Sequence, residues 1–221
     1  MYNKDLLSNQ RILVTGGGSG LGLAIALRCA ELGATVAICG RSDDRLQAAV
    51  ETAHQQGSKL LALSADVRDA TQVAQMFEAL DQQIGGVTSL VNNAAGNFYC
   101  ASEELTPNGF RAVIDTVLHG TFHCTTEFGR RSISANRPGN ILNIVTTYTQ
   151  TGSAFVLPSA CAKAGVYAMT TSLAWEWAEY QLRVNAIAPG PIPTEGAWKR
   201  LMPDDAFAER YRETLPLKRF G

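Results

Sequence analysis

From residue 11 onward, short apolar runs alternate with stretches of helical period: RILVT, LGLAIALRCAELG, TVAIC, DRLQAAVETAHQQ, LLALSA, DATQVAQMFEALDQQI and SLVNN. The rhythm is βαβαβαβ, and it continues with a helical stretch over about 103–134, a strand in NILNIV, a helix over about 159–180 and a strand in RVNAIAP. Strands that are apolar at nearly every position are buried on both faces, which requires a parallel sheet covered by helices on either side. The expected fold class is therefore α/β: a Rossmann-like, doubly wound parallel sheet. Such sheets bind ligands beyond the carboxyl ends of their strands, so functional residues are sought just after each strand.

A chain of 221 residues, 46% of them hydrophobic, can bury one substantial core. No linker-like, repetitive or low-complexity stretch divides it, so residues 1–221 are expected to form a single dinucleotide-binding domain. The 19 basic and 20 acidic side chains are interspersed and give a net charge of -1. That pattern offers no electrostatic footprint for nucleic acid or an anionic membrane, and it points to small-molecule partners. The five cysteines have no CxxC spacing, MYNKDLLSNQ lacks the apolar core of a signal peptide, and no run is long enough to span a bilayer. A cytoplasmic protein with reduced thiols is expected.

The first strand runs into TGGGSGLG, which opens the first helix. Glycines at such a junction let the backbone approach a pyrophosphate, whose charge meets free N–H groups at the helix start. The spacing Gly16, Gly20, Gly22 is not the GxGxxG fingerprint. The second strand ends in ICGRS. An acidic residue there would hold a ribose 2′-hydroxyl, whereas an arginine pairs with the 2′-phosphate, so Arg41 favours NADP(H) over NAD. Asp66 in SADVRD follows strand three, and NNAAGN follows strand four.

Together with PGPIPTEG after strand six, these motifs resemble the short-chain dehydrogenase/reductase family over nearly the whole chain. The resemblance implies that Gly16, Ser19, Gly20, Leu21 and Gly22 surround the cofactor phosphates and that Asp66 lies by the adenine. It further implies that the turn containing Asn93 supports the central cofactor, that Lys163 holds the nicotinamide ribose, and that Pro189, Gly190 and Ile192 lie by the carboxamide.

Most members of that family use a Ser, a helical Asn, and a Tyr four residues before the Lys as general acid. Here these positions are Thr146, Val117 and Ser159. Ser159 is a poor substitute, since an alkyl hydroxyl is a far weaker acid than a phenol. The stretches NNAAGNF, TTYTQTGSAFVLPSACAKAG and APGPIPTEGAWKRL resemble one branch, the 2,4-dienoyl-CoA reductases. That resemblance moves the tyrosine to Tyr148, gives it Asn97 as partner and retains Ser159 and Lys163. It also implies Arg68, Phe98 and Arg200 as contacts to an acyl-CoA substrate. The implied reaction is NADPH-dependent reduction to a 3-enoyl-CoA, with hydride delivered to C5 and a proton to the α-carbon, in unsaturated fatty acid β-oxidation. Alternatives are a carbonyl or 3-hydroxyacyl reductase of the same family, and a non-catalytic NADP-binding interaction module.

Asp115, His119, His123 and Glu127 recur every fourth residue, but without a metal motif beside them they read as a polar helical stripe, and no metal is expected. In the family, the helix that carries the stripe commonly assembles dimers and tetramers, so a homo-oligomer is expected. Family members also continue beyond the point matching LKRFG with a helix and a strand, so about 40 to 60 further residues are expected after Gly221.

Overall fold

In the computed structural model, residues 3–194, 196, 198, 201 and 204–221 are described. The element order is β1 (Arg11–Thr15), α1 (Gly20–Glu31), β2 (Thr35–Gly40), α2 (Asp43–Gln55), β3 (Leu60–Ser64), α3 (Ala70–Ile84) and β4 (Ser89–Asn92). It continues with α4 (Pro107–Ile114), α5 (Gly120–Ser134), β5 (Gly139–Ile144), α6 (Tyr148–Thr151), α7 (Leu157–Glu176), β6 (Leu182–Ile187) and α8 (Asp205–Thr214). The strands make a six-stranded parallel sheet in the order β3-β2-β1-β4-β5-β6. Strand order reverses between β1 and β4, which opens a crevice at their carboxyl ends.

Alternate residues of β1 to β5 serve opposite cores, whereas β6 buries Leu182 and Val184 on one face and exposes Arg183 and Asn185 on the other. Ile12 and Val14 pack with Val36, Ile38 and Val91 against Ala26 of α1 and Leu46, Ala49 and Ala53 of α2. Leu13 faces the other way, joining Ala37, Leu90 and Ile141 under α3 and α5 through Val73, Phe77, Leu80, Cys124 and Phe128. This two-sided burial is the physical reason for the continuous apolar runs. A buried polar chain crosses the same layers. Asn92 Nδ2 donates to Thr125 Oγ1 and Asn143 Oδ1, each at 2.8 Å, and Asn143 Nδ2 donates to Thr170 Oγ1 at 2.8 Å.

Local chemistry sets the helix starts. Ser42 caps α2 by accepting from Arg45 N, Asp69 caps α3 by accepting from Thr71 N and Gln72 N, and Thr106 caps α4 ahead of Pro107. The helix expected over about 103–134 is interrupted twice. A short 3-10 turn, Ser102–Glu104, ends before the Thr106-Pro107 start, and a π-turn, Asp115–His119, separates α4 from α5. At the π-turn, Thr116 Oγ1 donates to Ala112 O at 3.0 Å and Thr121 Oγ1 to Val117 O at 2.7 Å. No helix among the described residues is long and apolar enough to cross a membrane.

The polar stripe on this helix separates into different partnerships. His119 Nδ1 lies 3.0 Å from Asp115 Oδ1, while His123 Nδ1 lies 2.9 Å from Val67 O. Glu127, buried, binds Arg130 and Arg131, and Arg131 also reaches Glu78 and Asp81 of α3. The network ties α3 to α5.

Candidate active site

A cavity of about 580 Å³ runs along the carboxyl ends of the strands, from the Gly-rich turn to the loop that follows β6. At one end, Gly16 adopts a positive φ of 65°, and a side chain at Gly22 would place its Cβ 2.4 Å from Gly16 O and 2.5 Å from Asn93 Nδ2. The turn is therefore folded as tightly as glycine permits. Ser19 precedes α1 without a side-chain capping bond, and Ser19, Gly20 and Leu21 line the cavity. A twelve-residue helix thus presents its positive end to an open, glycine-walled hollow, which fits an anionic pyrophosphate.

The turn after β4 braces this hollow. The hydroxyl of Thr15 accepts from Asn93 N and Ala94 N, both at 3.0 Å, and Asn93 Nδ2 donates to Thr15 O at 3.0 Å. Asn93 thus spends its amide on the protein, and the cavity wall continues through Ala94, Ala95 and Gly96. Gly22 lies behind the wall, where its role is close packing.

At the far end of the dinucleotide groove stand Arg41 and Asp66, joined by Arg45 from α2, which sequence reasoning had missed. Arg45 lies against Gly18, whose added Cβ would be 3.5 Å from it, so its position follows from the glycine turn as much as from α2. Arg68 grips Asp66: Nε lies 3.0 and 2.9 Å from the two carboxylate oxygens and Nη2 2.5 Å from Oδ2. Its hydrogen bonds hold the Asp66 carboxyl below the usual range. Arg68 stands outside the cavity wall, as does Phe98, which packs beside Val113 and Val117 and closely approaches Gly109. Arg200 lies outside the described residues. Pro189, Gly190 and Ile192 line the cavity after β6.

The central chemistry comes from α6, α7 and the end of the β4 turn. Tyr148 begins α6, and its phenol oxygen lies 2.9 Å from Ser159 Oγ on α7. Lys163, one turn further on the same helix face, donates its ammonium to Ile144 O. Burial lowers the Lys163 pKa to about 8. Asn97 lines the cavity with its amide oxygen turned to its own neighbour, accepting from Phe98 N at 2.9 Å, which leaves the NH2 group as its donor. All four side chains therefore share one cavity, with a phenol, an alcohol, an amide and an amine in its wall.

Val117, at the helical position where a polar residue would support the usual proton path, is fully buried with Val145, Ala162 and Val166. Thr116, its neighbour within the π-turn, lines the cavity. Tyr99, Trp198, Phe207 and Tyr211 also line it and were missed. Their approach depends on chain folding after β4 and β6, where no periodic pattern marks it.

A family profile described as short chain dehydrogenase matches residues 10–203. An uncharacterised oxidoreductase of Caenorhabditis elegans is 48% identical over 219 residues, spanning 97% of this chain and 70% of that protein. A protein of the same organism named probable 2,4-dienoyl-CoA reductase 3, (3E)-enoyl-CoA-producing, is 44% identical over 97% of this chain and 71% of its own length. Among solved structures, a short chain dehydrogenase from Bacillus anthracis superposes with a TM-score of 0.89 at 42% identity, covering 97% of this chain and 84% of that one. With its six parallel strands, glycine turn and shared cavity, the chain belongs to the short chain dehydrogenase family of oxidoreductases.

Proposed function

We propose that this protein reduces a 2,4-dienoyl-CoA thioester to a 3-enoyl-CoA at the expense of NADPH. The observation that carries the reading is the 2.9 Å contact between Tyr148 and Ser159, with Lys163 one turn beyond, because it supplies a phenol to a cavity whose usual tyrosine position holds serine. The bound dinucleotide would supply the hydride. Tyr148 O–H and the Asn97 NH2 group donate hydrogen bonds to the thioester oxygen as negative charge develops there. Lys163, charged below about pH 8, orients the cofactor ribose. Ser159, in contact with the phenol and one helical turn before Lys163, passes a proton, with water, to the α-carbon. The balance is one hydride at C5 and one proton at C2, with the remaining double bond at C3–C4.

Support for NADPH comes from Arg41 and Arg45, two guanidinium groups at the end of β2 and the start of α2 with no acidic residue at the ribose position. A relative named for dienoyl-CoA reduction supports the acyl-CoA class. Arg68 would serve a coenzyme phosphate only by leaving Asp66. Val117 weighs against a ketone reductase, since the proton path of such an enzyme lacks its polar support here.

The test is NADPH oxidation with a 2,4-dienoyl-CoA, a 3-ketoacyl-CoA or no substrate, followed by chromatography of the thioester product. The expected outcome is turnover of the dienoyl ester alone, giving the 3-enoyl product. Turnover of the ketoacyl ester alone would assign a carbonyl reductase, and NADPH binding without any turnover would assign an interaction module.

A further inference from the structure

Aromatic rings from four separate stretches of chain gather along one side of the cavity. Tyr99, two residues beyond Asn97, stacks on Phe155 with ring centroids 5.2 Å apart and meets Phe207 of α8 edge-on at 5.8 Å. One turn further along α8, Tyr211 faces Phe220 with centroids 6.4 Å apart. Tyr99, Phe207 and Tyr211 line the same cavity as Tyr148 and Ser159. Tyr99 and Tyr211 remain 39% and 38% exposed, and neither phenol makes a side-chain hydrogen bond among the described residues. Burial, with Tyr99 and Tyr148 nearby, raises the Tyr211 pKa and keeps that phenol neutral. Large rings left partly in water beside a polar floor form an apolar surface suited to a ligand.

We propose that Tyr99 and Tyr211, backed by Phe155, Phe207 and Phe220, form an aromatic roof that holds the acyl tail of the substrate and sets the enzyme's chain-length preference. This rests on the dienoyl thioester reading above and adds the side chains that discriminate among such thioesters. With the thioester oxygen at Tyr148 and Asn97, the tail passes along the rings rather than toward Arg41, because the opposite side of the cavity is the glycine-walled dinucleotide groove. A neutral ring surface favours methylene groups and a conjugated segment through burial alone, so its contribution grows with tail length.

The experiment measures kcat/KM for a homologous series of 2,4-dienoyl thioesters, prepared both as CoA esters and as N-acetylcysteamine esters. The proteins are the wild type, Tyr99→Ser and Tyr211→Ser, with Tyr99→Val and Tyr211→Val as milder variants should either serine form fold poorly. In the wild type, kcat/KM should rise about fourfold per added methylene over the part of the tail that the roof covers. In the variants that increment should fall below about twofold, with NADPH affinity unchanged. The increment is a ratio within one preparation, so partial misfolding does not alter it. The same loss of increment with both ester types supports the roof. An unchanged increment in all variants, or a loss confined to the CoA esters, overturns it, the latter by placing the coenzyme rather than the tail on the rings. If the wild type turns over no dienoyl thioester, the functional reading falls and the roof with it.

Discussion

Tyr148 and Ser159 meet hydroxyl to hydroxyl at 2.9 Å, one at the start of α6 and the other on α7, eleven residues apart in the chain. The contact aims the phenol without consuming it, because either oxygen can serve as donor. Replacing Tyr148 with Phe keeps the ring and deletes the O–H. The expected result is a kcat lower by about 10²- to 10³-fold with dienoyl-CoA, the usual loss for one oxyanion donor, while NADPH affinity changes little. Ser159→Ala should cost less, since water can replace a relaying hydroxyl. Steady-state kinetics on both variants checks the order; the reverse order would make Ser159 the principal donor.

Cofactor preference should follow the two arginines. Arg41→Glu replaces a charge-assisted contact by like-charge repulsion, so NADPH affinity should fall on the order of a hundredfold while NADH affinity changes by less than about threefold. Arg45→Ala should cost NADPH roughly tenfold, having removed one contact without adding repulsion. Fluorescence titration with both cofactors measures each ratio. Equal losses for the two cofactors would remove the phosphate-reading role.

Lys163 predicts a pH dependence of stability whose sign is fixed by burial. Its pKa is lowered from 10.5 to about 8, so below pH 8 the folded protein carries a buried charge that the unfolded chain carries in water. Between about 8 and 10.5 the unfolded chain binds more protons, and stability from this group rises with pH. Lys163→Met removes the charge, so the apo variant should be more stable than wild type near neutrality, on the order of 1–2 kcal/mol after the unpaired Ile144 carbonyl is counted. The gain should shrink as pH rises through that window. Paired thermal melts across pH show it, and a gain that grows with pH would contradict the assignment.

Gly22→Ala tests the fit of the dinucleotide groove. The new Cβ would lie 2.4 Å from Gly16 O and 2.5 Å from Asn93 Nδ2, so the turn or the Asn93 amide must move. Stability should fall by about 1–3 kcal/mol, as for other overpacked sites, and NADPH binding should weaken more than tenfold, roughly, as the backbone donors shift. Calorimetric titration and thermal melts on the same sample read both effects.

The strands and their order of function were legible because burial on both faces of a parallel sheet leaves a run of apolar residues in the sequence, as in RILVT and TVAIC. The glycine turn and Arg41 were legible because both follow a strand directly. The π-turn at Asp115–His119 was not, since Val113 and Val117 keep a helical spacing across it. Asn143 gave a faint signal, a polar residue inside NILNIV, but its partners Asn92 and Thr170 are set by strand register and by the angle of α7. Arg68 was expected at substrate and is held by Asp66 two residues away, a local pairing that the pattern SADVRD permits without requiring. The ring cluster around Tyr99 and Tyr211 draws on distant stretches with no common period.

The hydroxyl of Thr15 joins the ends of β1 and β4 by accepting two backbone N–H groups at 3.0 Å. Its consequence is an uneven division of ordering between the two halves of the cavity. The dinucleotide half is locked by main-chain contacts at the point where strand order reverses, so a cofactor entering it finds little left to immobilise. The other half is walled by side chains, Tyr99 after β4 with Phe207 and Tyr211 of α8, rather than by main-chain contacts. On the dienoyl thioester reading proposed above, the dinucleotide is expected to load first, because its groove is preset by backbone contacts whereas the other half is walled by side chains.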